Sequence, residues 1–246
     1  MRRLILSDIH GNLEALEAVL RDAEGEWAEA VCLGDLVGYG ASPAEVVAWA
    51  RANTAVTVRG NHDRVCAGLD DALWFNAAAR RAVEWTKAAL GAEDSEWLRG
   101  LPAGPLRFER YEIAHGAPFD EDEYLVTDAD VEDLDKVLQR PICFVGHTHM
   151  QRAWQWTGGG VYRLPAPDRK TREQLTRLEP ETLYLINPGS VGQPRDRDPR
   201  AGYALWDDEE RTLALRRVRY DVAGAQARIE EAGLPEWLAV RLGEGR

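Results

Sequence analysis

Sulfur is scarce in this chain of 246 residues, with three cysteines and two methionines. Cys32, Cys66 and Cys143 are odd in number, far apart and without a Cys-x-x-Cys pair. That excludes a disulfide framework or a thiolate zinc site and fits a reducing, cytoplasmic location, with the thiols as small buried hydrophobes. Basic side chains are short too, 30 against 42 acidic for a net charge of -12. Nonspecific nucleic-acid binding rests on Lys and Arg neutralising phosphates, so stable binding of that kind is not expected. No run approaches the ~20 apolar residues of a membrane helix, and no membrane association is expected. Met1-Arg2-Arg3 has the charge of an export signal, but only Leu4-Ile5-Leu6 follow before Ser7 and Asp8. An export signal needs roughly 7–15 apolar residues there, so a first strand is expected instead.

What remains is ordinary globular material. A hydrophobic fraction of 45% with 29% charged residues excludes disorder and fibrous classes, and the length suits one domain over 1–246. Short apolar runs alternate with helical patterns through the first half. Strands are expected at 4–6, 30–33 and 55–58, with a helix over about 12–24 between the first two. Ser42-Pro43 with Glu45 predicts a helix start with a hydroxyl N-cap and a capping box. This βαβαβ order argues for parallel strands with functional loops at their carboxyl ends. Residues 72–100 read as helix broken near Gly91, and 128–138 as helix. Strands are expected at 106–109, 111–114 and 142–145, then at 151–157, 161–164, 183–187, 202–206 and 212–218, with helices after Asp221. The charged stretch 165–182 predicts an exposed insertion. The tryptophans, on or near helices and strands, predict packing rather than base stacking.

Histidine is rare, and all five copies fall at the ends of expected strands: Asp8-Ile9-His10-Gly11-Asn12, Gly60-Asn61-His62-Asp63, His115-Gly116 and Gly146-His147-Thr148-His149, with Gly34-Asp35 closing another strand. Imidazole and carboxylate without thiolate suit divalent ions such as manganese, iron, zinc or nickel. A carboxylate can bridge two such ions, and an amide oxygen such as that of Asn61 is a weak neutral ligand. Two cations ~3.5–4 Å apart can clamp the attacking and leaving oxygens of a displacement at phosphorus.

These blocks, DxH, GD, GNHD, HG and GHTH in this order, resemble the calcineurin-like metallophosphoesterase superfamily. Asn187-Pro188-Gly189-Ser190-Val191-Gly192-Gln193-Pro194-Arg195 resembles a segment of its bacterial and archaeal branch, which includes small phosphodiesterases. The resemblance implies a four-layer α/β/β/α sandwich of two mixed sheets flanked by helices, with two divalent metal ions, manganese foremost. By the same resemblance Asp8, His10, Asp35 and His149 would hold one ion. Asp35, Asn61, His115 and His147 would hold the other, with Asp35 bridging. His62 would be the general acid, and the implied reaction is in-line attack of a metal-bridging hydroxide on a phosphodiester or nucleotide-type phosphoanhydride.

Departures narrow the reading. Protein phosphatases of the superfamily carry GDxVDRG, whereas Gly34-Asp35-Leu36-Val37-Gly38-Tyr39-Gly40 lacks its second Asp and its Arg. The partner of His62 is thereby open, with Asp63 adjacent in sequence. Tyr39 is a candidate substrate contact or a packing residue. An anionic substrate needs arginine, for which Arg195 is the leading candidate, while Arg59 and Arg64 are expected in structural ion pairs. The acidic run Asp120-Glu121-Asp122-Glu123 reads as a solvated turn or the rim of a cleft. Phosphomonoesterase or protein-phosphatase activity on the same centre is the alternative, and a binding scaffold of the same fold is a third reading. The expected partner is a small phosphorylated substrate, a nucleotide among the candidates.

Overall fold

The computed structural model describes every residue from Met1 to Arg246. In β1 (Arg2–Leu6) successive side chains point to opposite faces, and both faces are apolar: Leu4 and Leu6 enter one core, Ile5 another. A strand of that kind must be covered on both sides. β1, β2 (Glu29–Cys32) and β3 (Thr54–Thr57) pair in parallel. They are joined through α1 (Leu13–Asp22) and α2 (Pro43–Asn53), which supply the covering helices. Then come α3 (Asn61–Cys66), α4 (Ala77–Ala89) and α5 (Ala92–Arg99). The break between α4 and α5 falls at Gly91, the N-cap of α5.

The second sheet begins with the antiparallel pair β4 (Leu106–Arg107) and β5 (Tyr111–Ile113), continued by β6 (Ile142–Phe144), β7 (Arg152–Thr157), β8 (Gly160–Arg163) and β10 (Leu183–Asn187). Its spatial order is β4-β5-β6-β10-β7-β8. β11 (Ala201–Asp207) and β12 (Thr212–Val218) return to the first sheet, β11 antiparallel to β1. α7 (Val222–Glu231) and α8 (Glu236–Glu244) then pack Ala225, Ile229, Leu238 and Leu242 into its helical side. Ile5, Val31, Ile113, Phe144, Ile186 and Trp206 fill the space between the sheets. The outer face of the second sheet is closed by Cys143, Val145, Trp154 and Leu185 against Val131 and Leu134. The two mixed sheets flanked by helices are the architecture expected. All three cysteines are buried and unpaired, and no helix is long and apolar enough to cross a membrane.

Three local expectations fail. The helix expected over 128–138 is one turn, α6 (Asp128–Val131), followed by a 3-10 turn at Leu134–Lys136. Of Val131 to Leu138 only Val131 and Leu134 are fully buried, and Glu132, Asp133 and Asp135 crowd like charge along the segment, too small an apolar stripe to carry a longer helix. The stretch 165–182 is not simply an insertion, since it contributes β9 (Glu173–Arg177), an edge strand antiparallel to β12. Gln174 and Thr176 alternate half-buried with exposed neighbours, and charge on the outer positions suits an edge. Ser42 precedes α2 with Pro43 in its first turn but makes no side-chain cap; its hydroxyl accepts from Arg228 Nη1 at 3.3 Å instead.

Candidate metal centre

The carboxyl ends of β1, β2, β5 and β6 meet at one edge of the sandwich, and the loops leaving them are unusually bent. Asp8, His10, Asp35, His147 and His149 all have positive φ, between 49° and 66°. Non-glycine residues adopt that region at a cost of order 1–2 kcal/mol, and such strain persists only where the surroundings fix it. Here the Asn187–Arg195 segment does the fixing. Asn187 Nδ2 donates to Gly146 O at 2.7 Å and to Thr148 Oγ1 at 3.0 Å. Ser190 Oγ donates to Asp8 O at 2.8 Å, and Gly192 N reaches the same carbonyl at 3.0 Å. The Asn-Pro-Gly-Ser run thus ties the first loop to the last.

Two groups of potential ligand atoms result: Asp8, His10, Asp35 and His149, and Asp35, His115 and His147, all buried, each within a 4.8 Å span. Asp35 belongs to both. Its Oδ2 lies 3.4 Å from His10 Nε2 and 3.5 Å from His115 Nε2. Its Oδ1 accepts from His62 N at 2.9 Å. A Cβ on Gly60 would come within 2.1 Å of Asp35 Oδ1, so only glycine lets the two loops approach this closely. Asn61, at the start of α3, brings Oδ1 to 3.2 Å from His115 Nε2.

The residues fit cations on the evidence of their own nitrogen atoms. His10, His115 and His149 each direct Nδ1 at a backbone carbonyl, those of Val37 (2.9 Å), Leu33 (2.8 Å) and Gln193 (2.6 Å). His147 directs Nε2 at Asp122 O, 3.1 Å away. A carbonyl accepts only, so each of these nitrogens carries the hydrogen and the other ring nitrogen of the neutral ring presents a lone pair. Those lone pairs face one another: His10 Nε2 and His149 Nε2 are 3.1 Å apart, as are His115 Nε2 and His147 Nδ1. Such an arrangement needs positive charge between the rings. In the metal-free chain part of it is a proton. Burial penalises charge on His115, yet the Asp35 carboxylate and then Asp8 outweigh it and lift its pKa to about 10. Burial also pushes the Asp8 carboxyl up to about 7, whereas it drives His147 down to about 3 and His10 and His149 well below the usual imidazole value. Burial opposes ionisation of Asp35 as well, but His115 beside it holds its pKa well below the usual carboxylate value.

His62 stands beside the cluster, its ring 4.9 Å from that of His10, 4.4 Å from Tyr39 and 4.5 Å from Phe75. Its Nδ1 is buried without a hydrogen-bond partner, sealed against Gly38, where a Cβ would lie only 2.4 Å away. Asp63 does not support it. That carboxylate accepts from Gly60 N at 3.0 Å and Val37 N at 3.2 Å, bracing the loop of Asp35. With no acid against the ring, burial lowers the His62 pKa to about 4.

Tyr39 and Arg195 are brought together at the same place. Arg195 Nη2 is 3.4 Å from Tyr39 OH, and its guanidinium lies 5.9 Å from the ring centre. Arg59 and Arg64 make the structural pairs expected of them, with Glu121 at 2.9 Å and 2.5 Å and with Asp122 at 2.8 Å from Arg64. The acidic run is therefore an anchored loop, and the same Asp122 supplies the carbonyl that orients His147. Two neighbours have no forewarning in the sequence: Tyr124, its ring centre 3.9 Å from that of His147 and tilted 37° to it, and Arg241 of α8, 5.7 Å from the Tyr39 ring centre. Neither lies in a strand-end block, and only folding brings them in.

Comparison with known proteins agrees with this geometry. Residues 1–211 match the calcineurin-like phosphoesterase superfamily domain. An uncharacterized protein of Methanocaldococcus jannaschii is 36% identical over 98% of this chain and 97% of its own length. A metallophosphoesterase from Sphaerobacter thermophilus superposes with a TM-score of 0.88 at 38% identity, covering 100% of this chain and 99% of that one. A hypothetical protein from Pyrococcus horikoshii shares the fold at a TM-score of 0.78 and 23% identity, over 100% and 98% of the two chains. With aspartates and histidines clustered at the strand ends in groups that could hold a divalent metal ion, the chain belongs to the calcineurin-like phosphoesterase superfamily.

Proposed function

We propose that the protein is a dinuclear-metal phosphoesterase whose substrate is a small phosphodiester or nucleotide-type phosphoanhydride. The observation that carries this reading is the sharing of Asp35 between two ligand groups whose histidine lone pairs converge. Asp8, His10, Asp35 and His149 would hold one cation, and Asp35, Asn61, His115 and His147 the other. When bound, divalent cations supply Lewis acidity toward a phosphoryl oxygen and lower the pKa of water. The chain's own residues do the rest. Arg195, with Tyr39 beside it, binds and orients the anionic group. His62 delivers a proton to the leaving oxygen from Nε2, since Nδ1 is sealed. A neutral resting His62 is consistent with this, because an anionic substrate oxygen against the ring raises its proton affinity.

Chelation followed by reconstitution with manganese, iron, zinc or nickel tests the reading. Hydrolysis of bis(p-nitrophenyl) phosphate should vanish with chelator, return with cation and exceed that of p-nitrophenyl phosphate. A screen over cyclic nucleotides, dinucleoside polyphosphates and phosphopeptides then ranks substrates. Selective phosphopeptide turnover would move the assignment to a protein phosphatase. Full cation content with no hydrolysis of any of these would leave a binding scaffold.

A further inference from the structure

Most shielded arginines in this acidic protein have a carboxylate. Arg3 pairs with Asp208 at 2.9 Å, Arg216 with Glu26 at 2.7 Å and Arg200 with Asp198 at 2.6 Å, and even the exposed Arg228 of α7 pairs with Glu14 at 2.5 Å. Arg195 and Arg241 are different. Both are half-buried, and neither pairs with an aspartate or glutamate. Arg195 spends its donors on Gln193 Oε1, at 3.2 Å and 3.3 Å, and on Tyr39 OH. Arg241 donates through Nε to Arg246 O and has no partner for its two terminal nitrogens. The two guanidiniums flank one ring, 5.9 Å and 5.7 Å from the centre of Tyr39. Burial, with Arg195 adding to it, pulls the Arg241 pKa down to about 10.

The position of this pair decides what it is for. The Tyr39 ring lies 4.4 Å from His62 and 4.6 Å from His10, so this ring borders the ligand cluster beside the proposed proton donor, and the two guanidiniums stand 5.9 Å and 5.7 Å from its centre. A leaving group departs toward that donor. We propose that Arg195 and Arg241 form a second anion subsite, which makes the preferred substrate a phosphoanhydride: a phosphoryl group at the metal centre, followed by a further anionic phosphate that Tyr39 and the two arginines hold as the leaving group. In the hydrolysis, water's oxygen bonds to the attacked phosphorus as that water releases one proton to solvent, the P–O bond to the bridging oxygen breaks, and the electron pair leaves on the second phosphate. Neutralisation by two guanidiniums makes that phosphate a better leaving group and lessens the demand for a full proton transfer from His62. The inference rests on the phosphoesterase reading for its chemistry but not for its binding. Arg241 also lies beyond the residues 1–211 matched by the superfamily domain, so α8 adds its part of this subsite from outside the matched region.

Calorimetric titration of the manganese-loaded full chain with imidodiphosphate, which resists hydrolysis, and with orthophosphate tests it, with cation content measured afterwards. Wild type should bind imidodiphosphate more tightly than orthophosphate. Arg241→Ala should weaken imidodiphosphate about tenfold or more, the scale of one lost charge-assisted contact, and orthophosphate threefold at most, and Arg241→Lys should recover part of the loss. Equal losses on the two anions, or no loss on either, would overturn the subsite. If Arg241→Ala does not fold, Arg241→Gln against Arg241→Lys gives the same comparison. Because no bond is broken in this titration, a failure of the phosphoesterase reading shows up separately, as bound anion without turnover.

Discussion

His62 has the least company of the five histidines. The other four have one ring nitrogen fixed by a carbonyl and the other turned on a neighbouring ring, which is how ligands are held. His62 has Nδ1 sealed without a partner and no carboxylate behind it, so nothing but its packing between Tyr39 and Phe75 orients it. A positioned general acid contributes roughly 10²–10⁴-fold to rate. His62→Ala should therefore lose turnover of bis(p-nitrophenyl) phosphate on that scale while elemental analysis still finds two cations per chain. Full activity in the variant removes the acid assignment, and loss of cations would show that the ring acts by packing against the ligand loops rather than as an acid, since the backbone contact to Asp35 survives in alanine. The candidate ligands were legible because they cluster in short blocks at strand ends, whereas the absence of a partner for His62 was not. Asp63 stands next to it in the chain, and only the helical start at Asn61 turns that carboxylate toward Gly60 and Val37.

Among the elements, the loop 117–124 shows how a surface-looking charge run becomes part of a site. Arg59 and Arg64, at the end of β3 and in α3, clamp Glu121 and Asp122, and the Asp122 carbonyl then fixes the tautomer of His147. Arg64 is only 7% exposed, so removing it leaves two carboxylates facing each other with little cation left. Arg64→Ala should cost about 1–3 kcal/mol in chemical denaturation, the usual range for a disturbed interior network. It should also weaken the second cation more than the first, read by titrating manganese into the apoprotein. Equal affinity for both cations, with the stability loss present, would confine the clamp to a structural role. The ion pairs of Arg59 and Arg64 could be anticipated from sequence, but not the step from Asp122 to His147, which joins residues 25 apart in the chain.

The whole molecule carries a net charge of -12, and against that charge one region of the fold gathers two groups of potential cation ligands with Arg195 and Arg241 beside Tyr39. Charge also governs its stability without metal. The folded chain holds a proton on His115 up to about pH 10, against ~6.5 for free imidazole. Stability from that proton is complete below pH 6.5 and is lost as pH rises through about 10. Asp8 and Asp63, lifted by burial to about 7, act in the same direction but finish near neutrality, and the buried cysteines join only above ~8.5. In excess EDTA the unfolding free energy should therefore fall between pH 7 and 8.5, by at most about 1.4 kcal/mol per pH unit for one proton. In the cation-loaded chain, where metal replaces that proton, the slope should disappear. Thermal and urea unfolding across that window measure it, and an equal slope in stripped and loaded protein would show that His115 is not the group responsible.

The strand-end blocks, the alternation of helix and strand and the likeness to a metallophosphoesterase were all written in the sequence. Each depends on neighbours a few residues apart, or on a ligand chemistry that tolerates few substitutes. Tertiary structure alone decided what those blocks face. Asn187 and Ser190 reach back to the loops of His147 and Asp8, β9 leaves its charged stretch for a sheet edge, and Arg241 arrives beside Tyr39 from a helix some 200 residues downstream. Such contacts follow from how two sheets and their helices close over a common core. Burial of apolar surface drives that closure, and it is indifferent to which polar residue is carried along. Against an acidic composition, the fold collects the candidate cation ligands and two arginines that lack a side-chain carboxylate in one region.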